Sequence, residues 1–200
     1  MCQTTHWQEA EHCWQEIKHL IGSISDRWKK AEAQINLSTA LAQAQHWQEA
    51  KRIIGSISIR EIKAKAQINL STALAQAQRW QEAKHLISSI SDEKRKVKAL
   101  VNLSTALAQA QHWQEAEQVI GSISIKEDKA EALVNLSTAL AQYNDYHRLV
   151  QLVQQEWLRA KSREETFLLF PLAFNLLHHS PDLGIDLTNA FFWVDRFLQG

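Results

Sequence analysis

The feature that most constrains this chain is an internal repeat of 33 residues. The segment NLSTALAQ begins at Asn36, Asn69, Asn102 and Asn135, in three steps of 33. The aromatic residue after each copy repeats with the same step, at Trp47, Trp80, Trp113 and Tyr146. A period of this length is typical of solenoids, in which each unit buries its apolar face only by stacking on its neighbours. The repeat therefore predicts a stacked array rather than one closed core.

Each repeat contains two segments with helical periodicity. In the first, apolar residues follow the 3.6-residue period of one helix face, at Ala33, Leu37, Ala40, Leu41 and Ala44. The second shows the same period at Trp47, Ala50, Ile54 and Ile57. The 200 residues include only 5 Gly and 2 Pro, and no segment alternates apolar and polar residues as a strand does. We therefore predict an all-α fold.

The linkers between the segments are too short for consecutive helices to be anything but antiparallel. Helical hairpins are expected at about residues 27–57, 60–90, 93–123 and 126–156. Ser58 with Glu61, and Ser124 with Glu127, have the spacing of a capping box and would start the next first helix. The organisation predicted is an N-terminal capping helix in residues 1–25, four hairpins in 26–157, and a capping hairpin in 158–200.

The C-terminal segment differs in composition from the repeats, because all six Phe and both Pro lie beyond residue 166. We expect one helix from Arg163 to His179, kinked at Pro171, and a second from Pro181 to Leu198 with Ser180 as its N-cap. An unlike terminal hairpin is typical of solenoids, whose end repeats must cover the open stack.

The run from Gln67 to Ser91 resembles a tetratricopeptide repeat (TPR). Leu70, Ser71 and Leu74 match the family's leucine, small and large positions in the first helix. Trp80, Ala83 and Ile87 match the aromatic, small and large positions of the second helix. The chain departs from the family at Gln34 and Gln67, where a tryptophan is expected, in its period of 33 rather than 34, and in having no proline at the end of each unit. The resemblance covers roughly residues 10–157 and implies a right-handed α-solenoid.

In the fold that this resemblance implies, one face of the first helices lines a concave groove. The candidate peptide-binding residues on that face are Ile35, Asn36, Thr39 and Gln43, Ile68, Asn69, Thr72 and Gln76, Val101, Asn102, Thr105 and Gln109, and Val134, Asn135, Thr138 and Gln142. Glu32, Lys65, Lys98 and Glu131 would stand at the groove edge. The lysine that TPR clamps use for a C-terminal carboxylate is replaced here by Ile or Val. The recurring Asn is open to two interpretations: it holds the backbone of an extended peptide, or it is solvated or bonds a neighbouring helix.

Residues that could carry other chemistry have structural explanations. The sequence contains no phosphate-binding glycine loop, nucleophile elbow or zinc-protease motif, so we expect no enzyme activity and no cofactor. Cys2, His6 and Cys13 could share a helix face as metal ligands, but the set is incomplete, and we expect no metal site. His46 and His112 fall on turns. Trp14, Trp47, Trp80 and Trp113 are expected in the core, and Trp28 is expected to be exposed.

Charge and location restrict the partners. Twenty-two Lys and Arg balance 22 Asp and Glu, which argues against nucleic acid. No secretory signal or membrane span is evident, so we expect a cytoplasmic protein with no membrane partner. The function predicted is a non-catalytic scaffold whose groove binds a peptide segment of a partner protein. The alternatives are a structural or sensor array in a larger signalling assembly, which includes a homodimer formed through the C-terminal hairpin, and a helical array that reads RNA.

Overall fold

A computed structural model describes the backbone of residues 3–177, the side chains of residues 13–176, and six single positions after them, at 182, 185, 186, 189, 192 and 196. Within this part the chain forms helices only. They are α1 (Gln3–Ser23), α2 (Arg27–Gln43), α3 (Trp47–Ser56), α4 (Arg60–Gln76), α5 (Trp80–Ser88), α6 (Glu93–Gln109), α7 (Trp113–Gly121), α8 (Lys126–Gln142), α9 (Tyr146–Arg159) and α10 (Arg163–Leu177). The prediction of an all-α solenoid built from helical hairpins is confirmed.

The repeat places the hairpins where the sequence predicted them. Helices α2 with α3, α4 with α5, α6 with α7, and α8 with α9 form the four pairs. Helix α9 extends to Arg159, past the expected end at 156, and α10 begins at Arg163 with Pro171 inside it. The expected continuation to His179 and most of the helix from Pro181 to Leu198 lie outside the described residues.

Each first helix ends in the same turn, which reverses the chain within a hairpin. In the first turn, the N–H of His46 donates to the carbonyl of Leu41, and the N–H of Gln45 donates to that of Ala42. This pair of bonds is a Schellman motif, which requires a left-handed residue after the helix. The residue is never glycine in this chain: φ is 62° at Gln45, 59° at Gln78, 62° at Gln111 and 59° at Asn144.

The starts of two first helices differ from the prediction. Helices α4 and α8 begin after Ile59 and Ile125, neither of which caps the helix with a side chain. The capping boxes expected at Ser58 and Ser124 are therefore wrong by one residue. Instead, the hydroxyl of Ser58 accepts a hydrogen bond from Nε of Arg27, 3.4 Å away.

The chain divides into two compact units, residues 1–95 and residues 96–200, which we call unit 1 and unit 2. In unit 1 the core lies between the hairpins and includes Leu41, Leu70, Leu74 and Ile87, each at most 1% exposed. Of the tryptophans, Trp47 is buried, Trp14 and Trp80 are half-buried, and Trp28 is 63% exposed, as expected for that residue.

Polar contacts recur within unit 1 with nearly the period of the sequence. Lys18 Nζ lies 2.5 Å from Glu49 Oε2, and Lys51 Nζ lies 2.6 Å from Glu82 Oε2. Ion pairs between residues 31 positions apart therefore join α1 to α3 and α3 to α5. Inside each hairpin, the buried Gln34 and Gln67 donate to Ser56 and Ser89, both over 2.9 Å. The polar residues that stand where TPRs have tryptophan thus find partners.

Unit 2 has a core of similar composition, and α10 completes it. Leu103, Leu107, Leu136, Leu140 and Leu149 are at most 1% exposed. Helix α10 packs on α8 and α9 through its own buried Leu169, Leu172, Ala173 and Leu176. None of the helices described is both long enough and apolar enough to cross a membrane.

Candidate functional site

The candidate residues on the first helices occupy equivalent positions and differ in exposure in a regular way. We call the position of Asn36, Asn69, Asn102 and Asn135 the ladder position, and the residue before it the aliphatic position. Asn36 is exposed, and the other three asparagines are half-buried. The Thr residues are half-buried, and the Gln residues at the helix ends are all exposed. The polar groups of this face are therefore within reach of a ligand, to different degrees.

Two of the ladder asparagines, one in each unit, bond the preceding first helix. In unit 1, Nδ2 of Asn69 donates to Oγ1 of Thr39 over 3.3 Å. In unit 2, Nδ2 of Asn135 donates to Oγ1 of Thr105 over 3.1 Å. Both bonds join residues that are 30 positions apart. The separation is three less than the 33-residue repeat because each threonine follows the asparagine of its own helix by three positions. Asn36 belongs to the first of the first helices, so no earlier threonine is available to it.

These bonds leave part of each amide unused. The hydroxyls of Thr105 and Thr138 donate to the carbonyls of Val101 and Val134 in their own helices, both over 2.9 Å, so the single hydrogen of each hydroxyl is used within its helix. The Oδ1 atoms of Asn69 and Asn135 accept no hydrogen bond from the described residues. Since an amide has two N–H groups and an acceptor oxygen, each retains one donor and the oxygen.

The two interpretations of the asparagines are thus not exclusive. The bond to a neighbouring helix is present for Asn69 and Asn135, while the other N–H and the oxygen of each amide have no partner among the described residues. The sequence pattern alone did not reveal this division of labour, although the constant Asn and Thr spacing was visible in it.

A further residue occupies the ladder position and was missed by the sequence reasoning. Nδ2 of Asn175 in α10 donates to Oγ of Ser137 over 2.7 Å and to Oγ1 of Thr138 over 3.3 Å. Helix α10 therefore stands to α8 as a fifth first helix. The signal was the segment Asn175-Leu176-Leu177, which resembles Asn135-Leu136-Ser137 but follows it by 40 residues instead of 33. Seven extra residues, about two helical turns, hid it.

The aliphatic positions flank this polar set. Ile35, Ile68 and Val134 are half-buried, and Val101 is 6% exposed. Val101 is therefore a packing residue with little surface for a ligand. At the equivalent position in α10 stands Phe174, which is 52% exposed.

Electrostatically the face is neutral, because none of the sixteen candidate residues carries a charge. The side chains expected at its edge, Glu32, Lys65, Lys98 and Glu131, are all exposed. Carboxyls with shifted pKa values lie elsewhere. A hydrogen bond from Lys18 lowers the pKa of Glu49, one from Lys51 lowers the pKa of Glu82 in the second helices, and one from Lys126 lowers the pKa of Glu165 in α10.

Two clefts lie beside the position where a TPR has its first tryptophan. One, of about 280 Å³, adjoins Gln34 in unit 1, and the other, of about 270 Å³, adjoins Leu133 in unit 2. The charged groups at the second cleft are paired: Lys126 with Glu165 at 2.5 Å, and Arg159 with the buried Glu156 at 2.6 Å. We therefore assign it no ligand.

The positions considered for metal or acid–base chemistry are spread out. The described residues contain no group of three His, Cys, Asp or Glu side chains placed to hold a metal ion. Cys13 is exposed, whereas Cys2 and the side chain of His6 lie outside the described residues. His46 and His112 precede α3 and α7 in the hairpin turns, as expected.

Comparison with known proteins adds no relative: no family model, no curated protein and no solved structure matches the chain. The class of protein is therefore given by the fold, a helical-hairpin solenoid. What the protein does has to be argued from its own residues.

Proposed function

We propose that this protein is a non-catalytic interaction module of the TPR kind, in which the face carrying the ladder positions binds an extended segment of a partner protein. The observation that carries the proposal is an amide oxygen that accepts no hydrogen bond from the described residues, at Asn69 in unit 1 and at Asn135 and Asn175 in unit 2. Each amide is held in place by its own bond to the preceding first helix. In unit 2, α8 and α10 thus each hold a fixed acceptor, which suits a ligand with regularly spaced N–H groups.

The expected helix spacing fits a polypeptide backbone. Packed helices lie about 8–10 Å apart, and a polyproline II segment advances about 9 Å in each turn of three residues. One N–H in three would then face one ladder position at each step. The neutral face reads no charged side chain, so selectivity falls to the aliphatic positions and to the exposed Gln residues.

The proposal is tested with a library of random twelve-residue peptides displayed on phage and selected against the immobilised full chain. Asn135→Ala should weaken the binding of the selected peptides by about 1 to 3 kcal/mol, because a buried peptide N–H would lose its hydrogen-bond acceptor. Fluorescence anisotropy with the labelled peptides measures the affinity.

Thr105→Val removes the acceptor for Asn135 Nδ2 and measures what that bond contributes to stability. Gln118→Ala is the matched control for binding, because Gln118 is an exposed amide on α7, outside the first helices, and its removal should leave peptide affinity unchanged. If Asn135→Ala lowers the melting temperature as Thr105→Val does but leaves peptide affinity unchanged, the asparagines serve the stack alone. Selection that yields no peptide above background would contradict the proposal altogether.

Exposed apolar side chains favour a second candidate, self-association or attachment to a larger assembly through the end of unit 2. Leu158 is 86% exposed and Phe167 is 48% exposed, and exposed apolar side chains of this size are common at protein interfaces. Light scattering over a range of concentrations tests self-association, and a constant monomer mass would reject it.

A further inference from the structure

The end of unit 2 differs from the repeats at one point of the candidate face. Helix α10 supplies the ladder residue Asn175 and, directly before it, Phe174. In the four repeats the residue before the ladder asparagine is Ile or Val. Because two successive residues of a helix keep the same angular relation, Phe174 stands to Asn175 as Val134 stands to Asn135. It is therefore on the candidate face.

Phe174 is exposed, but packing against a neighbouring ring fixes its position. Its ring meets that of Phe170 edge-on, with the centroids 5.4 Å apart and the planes at 88°, an arrangement favoured by aromatic pairs. Yet 52% of the residue remains exposed, whereas Val134 at the same position of α8 is half-buried. A large apolar surface is thus held open beside a polar residue.

Asn175 restricts what can occupy that surface. Its Nδ2 donates to Ser137 and to Thr138, and its Oδ1 accepts no hydrogen bond from the described residues, so the oxygen is available to a ligand. An occupant that satisfies both neighbours must offer an N–H group to Asn175 and apolar surface to Phe174. A peptide residue with an apolar side chain presents both groups within one residue, and a lipid chain does not.

We infer that Phe174 and Asn175 form an apolar subsite at the α10 step of the face, which takes a large uncharged aliphatic or aromatic side chain of the partner segment. The inference rests on the proposed function, since it specifies the ligand of the same face. The nearby Ser137, Thr138 and Val134 carry no charge, so a charged side chain would lose its hydration there without a partner.

The test uses the peptides selected from the random library on the full chain. They should share one large apolar residue at a fixed position, and replacing it with Ala should weaken binding about tenfold. Phe174→Ala should cause a similar loss of affinity, and it should make the original peptide and its Ala-substituted version bind with equal affinity. Phe174→Leu should restore most of the difference, because it keeps apolar surface at the subsite.

Leu158→Ala is the matched control, since Leu158 is more exposed but lies on α9, outside the first helices. Circular dichroism of each variant verifies that the helices persist. If the peptides share no apolar position, or if Phe174→Ala leaves affinity unchanged while Asn135→Ala lowers it, the subsite is wrong and the peptide-binding face stands. If Leu158→Ala is as harmful as Phe174→Ala, binding is unspecific adhesion and the subsite is wrong. Peptides that fail to bind the unaltered chain overturn both proposals.

Discussion

Unit 1 and unit 2 contain the same repeat and share two kinds of contact between helices, but they differ in their buried polar bonds. The ladder bond occurs in both units, and the Lys51–Glu82 ion pair of unit 1 has its counterpart in unit 2 at Glu117 and Arg148, where the charges are reversed. Unit 1 also has two buried Gln to Ser bonds, each between residues 22 positions apart, whereas in unit 2 the residues equivalent to Gln67 are Leu100 and Leu133. Unit 2 adds the ion pair of α10, between Lys126 and Glu165.

Near-identical repeats therefore form the same contacts again and again, and each contact joins only adjacent hairpins. A distinct surface arises where the sequence departs from the repeat. Glu165, Phe174 and Asn175 all lie in the part of unit 2 beyond residue 157, where the 33-residue period ends.

The largest effect should come from removing either a repeat or the terminal helix. Deleting residues 67–99, one full period, should leave a shorter folded array, because stability in a repeat protein is close to a sum over neighbouring units. Ending the chain after Ala160 should cause aggregation, since Leu169, Leu172 and Leu176 are buried and each contributes about 1.5 to 3 kcal/mol. Urea unfolding and light scattering measure both, and collapse of the deletion variant would argue for a single closed core.

Exchanging the buried residues that distinguish the units should have the next largest effect. Leu133→Gln should cost about 2 to 4 kcal/mol, because position 155, 22 residues later, is Gln rather than Ser, and the new amide lacks the partner that Gln67 has. Gln67→Leu should change stability by less than about 1 kcal/mol, since exposed Ser89 keeps its bond to the Leu86 carbonyl. Equal losses in the two variants, from urea unfolding, would remove this distinction between the units.

Substituting glycine for the left-handed residue of a hairpin turn should have a smaller effect, a gain in stability. Gln78→Gly in unit 1 should stabilise the chain by about 0.5 to 1 kcal/mol, because the left-handed conformation at φ 59° is unfavourable for a residue with a Cβ. Asn144→Gly in unit 2 should be close to neutral, because Asn tolerates this conformation better. Thermal denaturation compares the two, and a loss of stability in Gln78→Gly would contradict the account of the turn.

The smallest effect should come from the ion pairs, and it depends on pH. Hydrogen bonds from Lys51 and, to a lesser extent, Arg79 lower the pKa of Glu82 below its ordinary 4.5. The stabilisation is therefore present above pH 4.5 and disappears as the pH falls through the lowered value. Glu82→Gln should cost at most about 1 kcal/mol at pH 7 and nothing in strong acid.

The same measurement compares the units, because Lys126 lowers the pKa of Glu165 in unit 2 by the same kind of bond. Glu165→Gln should show the same direction with pH, and both effects should shrink in high salt. A variant whose loss is as large in strong acid as at pH 7 would show that packing rather than charge is responsible.

The sequence predicted the helices and turns closely because one period recurs four times, and each copy tests the others. It placed the capping boxes at Ser58 and Ser124 wrongly, since the local spacing cannot show that Ser58 instead accepts a bond from Arg27. It missed Asn175 because seven extra residues break the period there. The bonds from Asn69 and Asn135 depend on how neighbouring helices are rotated, and a pattern within one helix does not determine that.

The bonds from Asn69 and Asn135 to the preceding threonines span 30 residues, and the lysine to glutamate pairs of unit 1 span 31. Both distances are shorter than one period, so these two kinds of contact are contained in two adjacent copies. Unequal recombination between the near-identical coding segments would add or remove 33 residues and recreate the same contacts at the new junction. Array length is therefore a heritable variable that can change in whole steps, and the number of ladder positions changes with it.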